Sequence, residues 1–166
     1  MKKVLLIILS ILFYFFITYI TNTLNIFFQN TNLLLSSLFI IVVFSYHFGN
    51  RDIALIGYFL FTLVFLFYRE KVDVNLNLDF YLFAWLKSIF KNKIVMINII
   101  GNLFLFVPYV FLLKQKYFLV IIIGLILGLE IIQYLSKRGV LDIVDITLNL
   151  FGVIVALPFR WRFYER

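Results

Sequence analysis

The chain has 166 residues, of which 64% are hydrophobic and 14% charged, with a formal net charge of +7. A soluble domain carries about 45–50% apolar and about 25% charged residues, so this mixture excludes a water-soluble globule. The absence of Cys excludes disulfides, thiolate metal sites and cysteine nucleophiles, and the length suits one membrane domain over residues 1–166.

A membrane-crossing helix needs about 17–25 mostly apolar residues. In chain order the stretches that meet this are 4–20, 33–49, 53–68, 94–113, 117–135 and 140–159. The first follows Lys2-Lys3 and has no small-residue cleavage pattern, so it reads as a retained anchor rather than a signal peptide. Residues 21–32 form a polar, uncharged connection, while Asn50-Arg51-Asp52 and Lys114-Gln115-Lys116 are tight turns. Residues 69–93 hold the aromatic run Phe80–Leu86, too short to span, with Lys87 and Lys91 at helical spacing behind it. An interfacial amphipathic or re-entrant helix fits that segment. The expected fold is an all-α, polytopic membrane bundle of about six transmembrane helices plus this one segment.

The positive charge sits in clusters between apolar runs: Lys2-Lys3, Lys114 with Lys116, Lys137-Arg138, and Arg160 with Arg162. That is the pattern of snorkelling topology anchors, and the expected partner is the lipid bilayer, not nucleic acid. Placing both termini and the Lys-Gln-Lys turn in the cytoplasm leaves the neutral 21–32 loop outside, as the positive-inside rule favours. The chain is therefore expected to be multi-pass in the cell membrane. Its excess of Phe, Ile, Asn, Lys and Tyr suggests an AT-rich bacterial genome.

The last three spans carry polar residues that a bilayer disfavours: Asn98 and Asn102, then Glu130 and Gln133, then Asp142, Asp145 and Asn149. An acid at the membrane centre costs about 2.5–3.5 kcal/mol on insertion scales, so such groups mark sites by default. Their spacings of three and four residues put each set on one helical face. Counted from the predicted helix ends at about 1.5 Å per residue, Glu130 lies level with Asp145 and Gln133 with Asp142. Asn102 and Asn149 match at a deeper level. Arg138 falls in the turn between the two acidic segments. Gly124 and Gly128 lie at i,i+4 spacing, either a close helix contact or ordinary membrane-helix glycines. No nucleophile, cofactor or metal-ligand motif accompanies the cluster, and no cofactor or metal is expected.

Three motifs in order carry a resemblance. They are Asn98-Ile-Ile-Gly-Asn102 opening an apolar helix that ends in Phe106-Val-Pro108, Glu130-Ile-Ile-Gln133 followed by Arg138, and Asp142-x-x-Asp145-x-x-x-Asn149-x-x-Gly152. Over roughly residues 73–157 the chain resembles the VanZ-like family, named for teicoplanin resistance. Two departures are Val110, where a Gly is common, and Asn75-Leu-Asn-Leu-Asp79, which lacks the proline of the corresponding family element. The resemblance implies a membrane protein linked to the cell surface and, in some members, to lower glycopeptide susceptibility. It does not supply a reaction.

Several readings of Asn98, Asn102, Glu130, Gln133, Arg138, Asp142, Asp145 and Asn149 stand beside each other. The group can be structural, with Arg138 clasping the acids and the amides acting as interhelical glue. It can bind or shield a lipid-linked or cell-wall component at the extracytoplasmic face. It can act on a phosphorylated lipid, with carboxylates as acid and base and Arg138 forked onto phosphate. Finally, intramembrane acids can serve a small transporter, which a chain this short would build by dimerising.

Overall fold

The computed structural model describes residues 2–71, 76–77 and 91–164, with backbone only for 2–3, 76–77 and 161–164. The expected interfacial or re-entrant helix falls mostly on residues outside this set. The chain divides into two compact units, Met1–Glu70 and Lys71–Arg166.

The first unit is built from α1 (Lys2–Leu24), α2 (Thr31–His47) and α3 (Arg51–Phe67). Helix α1 runs past the expected end at residue 20. Thr21 and Thr23 donate their hydroxyls to the carbonyls of Thr18 and Tyr19, so these polar residues are satisfied inside the helix instead of ending it. Between α2 and α3, Gly49 adopts φ 82°. Its amide donates to Tyr46 O and that of Asn50 to Ser45 O, a Schellman ending that needs the left-handed residue. Phe13 of α1 stacks on Phe39 of α2 at 3.7 Å, and Asn32 donates to Thr18 Oγ1 at 3.0 Å. A short antiparallel bridge, Phe27 with Arg69, closes the unit.

The second unit contains β1 (Leu76–Asn77), α4 (Lys93–Leu105), α5 (Val107–Leu112), α6 (Phe118–Leu135), β2 (Leu141–Asp142) and α7 (Ile143–Tyr164). Helix α4 starts at Asn92, whose side chain accepts from the amides of Ile94 and Val95. The single helix expected over 94–113 is broken at Phe106. Pro108 has no amide proton, and its ring crowds the carbonyl four residues back, so the ladder restarts as α5 with the proline in its first turn. The core between α4 and α7 holds Ile99, Val144 and Leu148, with Val95 packed against them.

Side-chain distribution is inverted relative to a soluble protein. Leu5, Leu12 and Phe15 are exposed, whereas Glu130, Gln133, Asp142 and Asn149 are buried. Val4–Leu24, Lys93–Leu112, Phe118–Leu135 and Ile143–Arg160 are long and apolar enough to cross a membrane, and Thr31–His47 is a shorter apolar helix.

Candidate functional site

The site forms where α6 ends and α7 begins. Helix α6 closes on a second Schellman motif: the Lys137 amide donates to Tyr134 O and that of Arg138 to Gln133 O. Lys137 holds the left-handed position at φ 57°, where glycine is usual, and the Ser136 hydroxyl donates to Gln133 O. This turn fixes the backbone of Arg138 just beyond the helix end.

Residues Leu141–Asp142 do not continue a helix, as the sequence spacing suggests, but form β2. The strand pairs parallel with β1, matching Leu76 to Leu141 and Asn77 to Asp142. The backbone of Leu76–Asn77 thereby comes beside Asp142. Asp142 accepts the Val144 amide at 2.8 Å, so it caps α7 and is not part of its helical face. Asp145 occupies the first turn, where the helix dipole favours negative charge.

The late start of α7 changes which residues meet. From Ile143, Asn149 lies about 9 Å along the axis, while Glu130 lies about 7.5 Å before the end of α6, at about 1.5 Å per residue. Glu130 is accordingly paired with Asn149, one turn deeper than the expected Asp145. The Asn149 amide donates to Glu130 Oε1 at 3.4 Å. Asn149 is 1% exposed, and its Oδ1 accepts no hydrogen bond among the described residues.

Gln133 and Asp142 are buried, and Arg138 and Asp145 half-buried. On α4, Asn102 is half-buried and Asn98 exposed, so Asn98 stands apart from the buried group. Gly152, at the end of the Asp-x-x-Asp-x-x-x-Asn-x-x-Gly run, lets α4 approach α7 closely. A Cβ there would collide with the Leu103 carbonyl and come within 2.8 Å of its carbon. Among the described residues, nothing lies within 4 Å of a Cβ built at Gly124 or Gly128.

In the sequence Arg160 reads as a surface anchor. It is buried at 7% exposure, donates to the carbonyls of Val110 and Leu113, and lies over the Phe118 ring at 3.7 Å. Its position directly after Pro158-Phe159, inside an apolar run, was the available signal.

The Glu130–Asn149 bond is long, and interhelical hydrogen bonds in membranes average about 0.6 kcal/mol. In a double-mutant cycle of Glu130→Leu and Asn149→Leu, we expect a coupling below about 1 kcal/mol in detergent unfolding. A coupling above about 2 kcal/mol would make the pair a structural clasp.

Apolar side chains turned outward, polar ones buried between helices, and helices long enough to cross a bilayer define an all-α membrane protein. Residues 53–162 match the VanZ/LLP1 family, and the chain belongs to it. The match begins inside α3, earlier than the motifs alone indicate. No curated protein and no solved structure matches the chain.

Proposed function

We propose that the cluster between α6 and α7 binds the polar head of a lipid-linked or cell-wall component at the extracytoplasmic face, and so alters access of glycopeptides such as teicoplanin. The observation that carries this reading is Asn149: fully buried, paired to a buried acid, with an acceptor oxygen left open among the described residues. Burying an acid at membrane depth costs about 2.5–3.5 kcal/mol on insertion scales. Arg138, in the turn above, supplies a guanidinium suited to a phosphate. Asn149, Gln133 and the acids supply acceptors for hydroxyls or amides.

The test uses purified protein in nanodiscs with a radiolabelled lipid-linked cell-wall precursor. Saturable binding without turnover is expected, weakened at least about tenfold by Asn149→Leu, which corresponds to losing one good polar contact. Turnover would select an enzyme instead, and unchanged binding in Asn149→Leu and Arg138→Gln would defeat the reading.

In the proposed orientation both termini are cytoplasmic and the α6–α7 turn lies outside. A Cys placed by Ser136→Cys should react with an impermeant maleimide in intact cells, and one placed by Gln115→Cys should not. The reverse pattern inverts the orientation.

A further inference from the structure

A second feature lies on the other side of α7, away from Glu130. An apolar groove of about 280 Å³ runs between α4–α5 and α7. Phe104, Val107 and Phe111 form one wall, and Phe151, Val155 and Phe159 the other. Two sequence features shape it. Gly152 contributes no side chain to its floor, and the break at Phe106 ahead of Pro108 divides the facing wall between Phe104 on α4 and Val107 and Phe111 on α5. Phe104, Phe151, Val155 and Phe159 are all at least half exposed, so the groove opens outward. Along α7, from Phe151 to Phe159, it extends about 12 Å at about 1.5 Å per residue.

One end of the groove is basic. Arg160 follows Phe159 and is hydrogen-bonded to Leu113 O at 2.7 Å, which brings the α5–α6 turn to that end. Lys114 and Lys116 in this turn are exposed, and the Lys116 ammonium lies 5.9 Å from the Tyr117 ring centre. Arg160 is already committed to carbonyls, so among the residues whose side chains are described Lys114 and Lys116 are the cations presented outward at this end. A narrow apolar groove ending at exposed lysines is complementary to one kind of molecule, an acyl chain joined to an anionic head.

We propose that this groove seats one acyl chain of an anionic phospholipid, whose phosphate meets Lys114 and Lys116. The site is separate from the Glu130–Asn149 cluster and does not depend on its function. The test is native mass spectrometry of the full-length protein, incubated with equal amounts of phosphatidylglycerol and phosphatidylcholine carrying the same chains. Phosphatidylglycerol adducts should exceed phosphatidylcholine adducts by at least about fivefold, the factor for one surface lysine. Lys114→Gln combined with Lys116→Gln should abolish that preference while leaving some binding of both lipids. Val155→Trp should fill the groove and reduce retention of both, and Phe104→Ala should do so by removing a wall. Leu127→Trp, on an exposed position of α6, should change nothing. Equal retention of the two lipids by the unaltered protein would overturn the proposal, as would a preference surviving the double lysine change. So would wild-type retention in both groove variants.

Discussion

Gly152→Ala is expected to destabilise the protein by more than about 3 kcal/mol, beyond the usual range for overpacking. The added methyl would meet the Leu103 carbonyl, and a backbone carbonyl inside α4 cannot rotate away as a side chain can. Relief requires α4 and α7 to separate, which would also strip the Ile99–Val144–Leu148 core. The internal control is Gly124→Ala or Gly128→Ala in α6, where the same methyl enters open space. There the better helix propensity of alanine should make the change neutral or stabilising by up to about 1 kcal/mol. Fluorescence-detected size exclusion across a temperature ramp in detergent reads all three. If Gly152→Ala melts with its controls, the close crossing of α4 and α7 is wrong.

Arg160→Ala is expected to cost about 3 kcal/mol. The carbonyls at the end of α5 have no intrahelical amide to bond, and Arg160 donates to two of them. Hydrogen bonds to a charged group contribute about 1.5–3 kcal/mol, and a desolvated cation–π contact about 2 kcal/mol. These terms share one side chain and do not add in full. Arg160→Lys keeps the charge but loses the planar fork and the stacking on Phe118, so an intermediate melt is expected. Wild-type melting in both variants would return Arg160 to the surface role that its place near the chain end suggests.

Both expectations concern residues whose importance is uneven in the sequence. Gly152 closes a recognisable motif, but nothing in the spacing says that its backbone meets Leu103. The Gly124–Gly128 pair carries the stronger pattern for helix contact and makes none among the described residues. Spacing reports which face a residue occupies, whereas contact depends on which helix is laid against that face. Arg160 departs from its sequence pattern for a related reason. A cation near the end of an apolar segment normally snorkels to water. Here the end of α5 leaves the Val110 and Leu113 carbonyls within reach, and bonding them outweighs solvation.

The helical membrane class is legible in the residues alone, because apolar runs of spanning length and a scarcity of charge admit no soluble fold. So is the family, through motifs that lie in a fixed order along α4, α6 and α7, and so are Glu130 and Asn149 as residues out of place in lipid. Tertiary structure decided the pairing. Asp142 looks helical by periodicity, but its carboxylate competes for the Val144 amide, so α7 begins at Ile143 and not at residue 140. That delay, about 4.5 Å of helix at about 1.5 Å per residue, slides Asn149 into register with Glu130. The parallel pairing of Leu76–Asn77 with Leu141–Asp142 was equally invisible in the sequence. Two-residue strands have no periodicity, and only the fold brings segments so far apart in the chain into hydrogen-bonding distance.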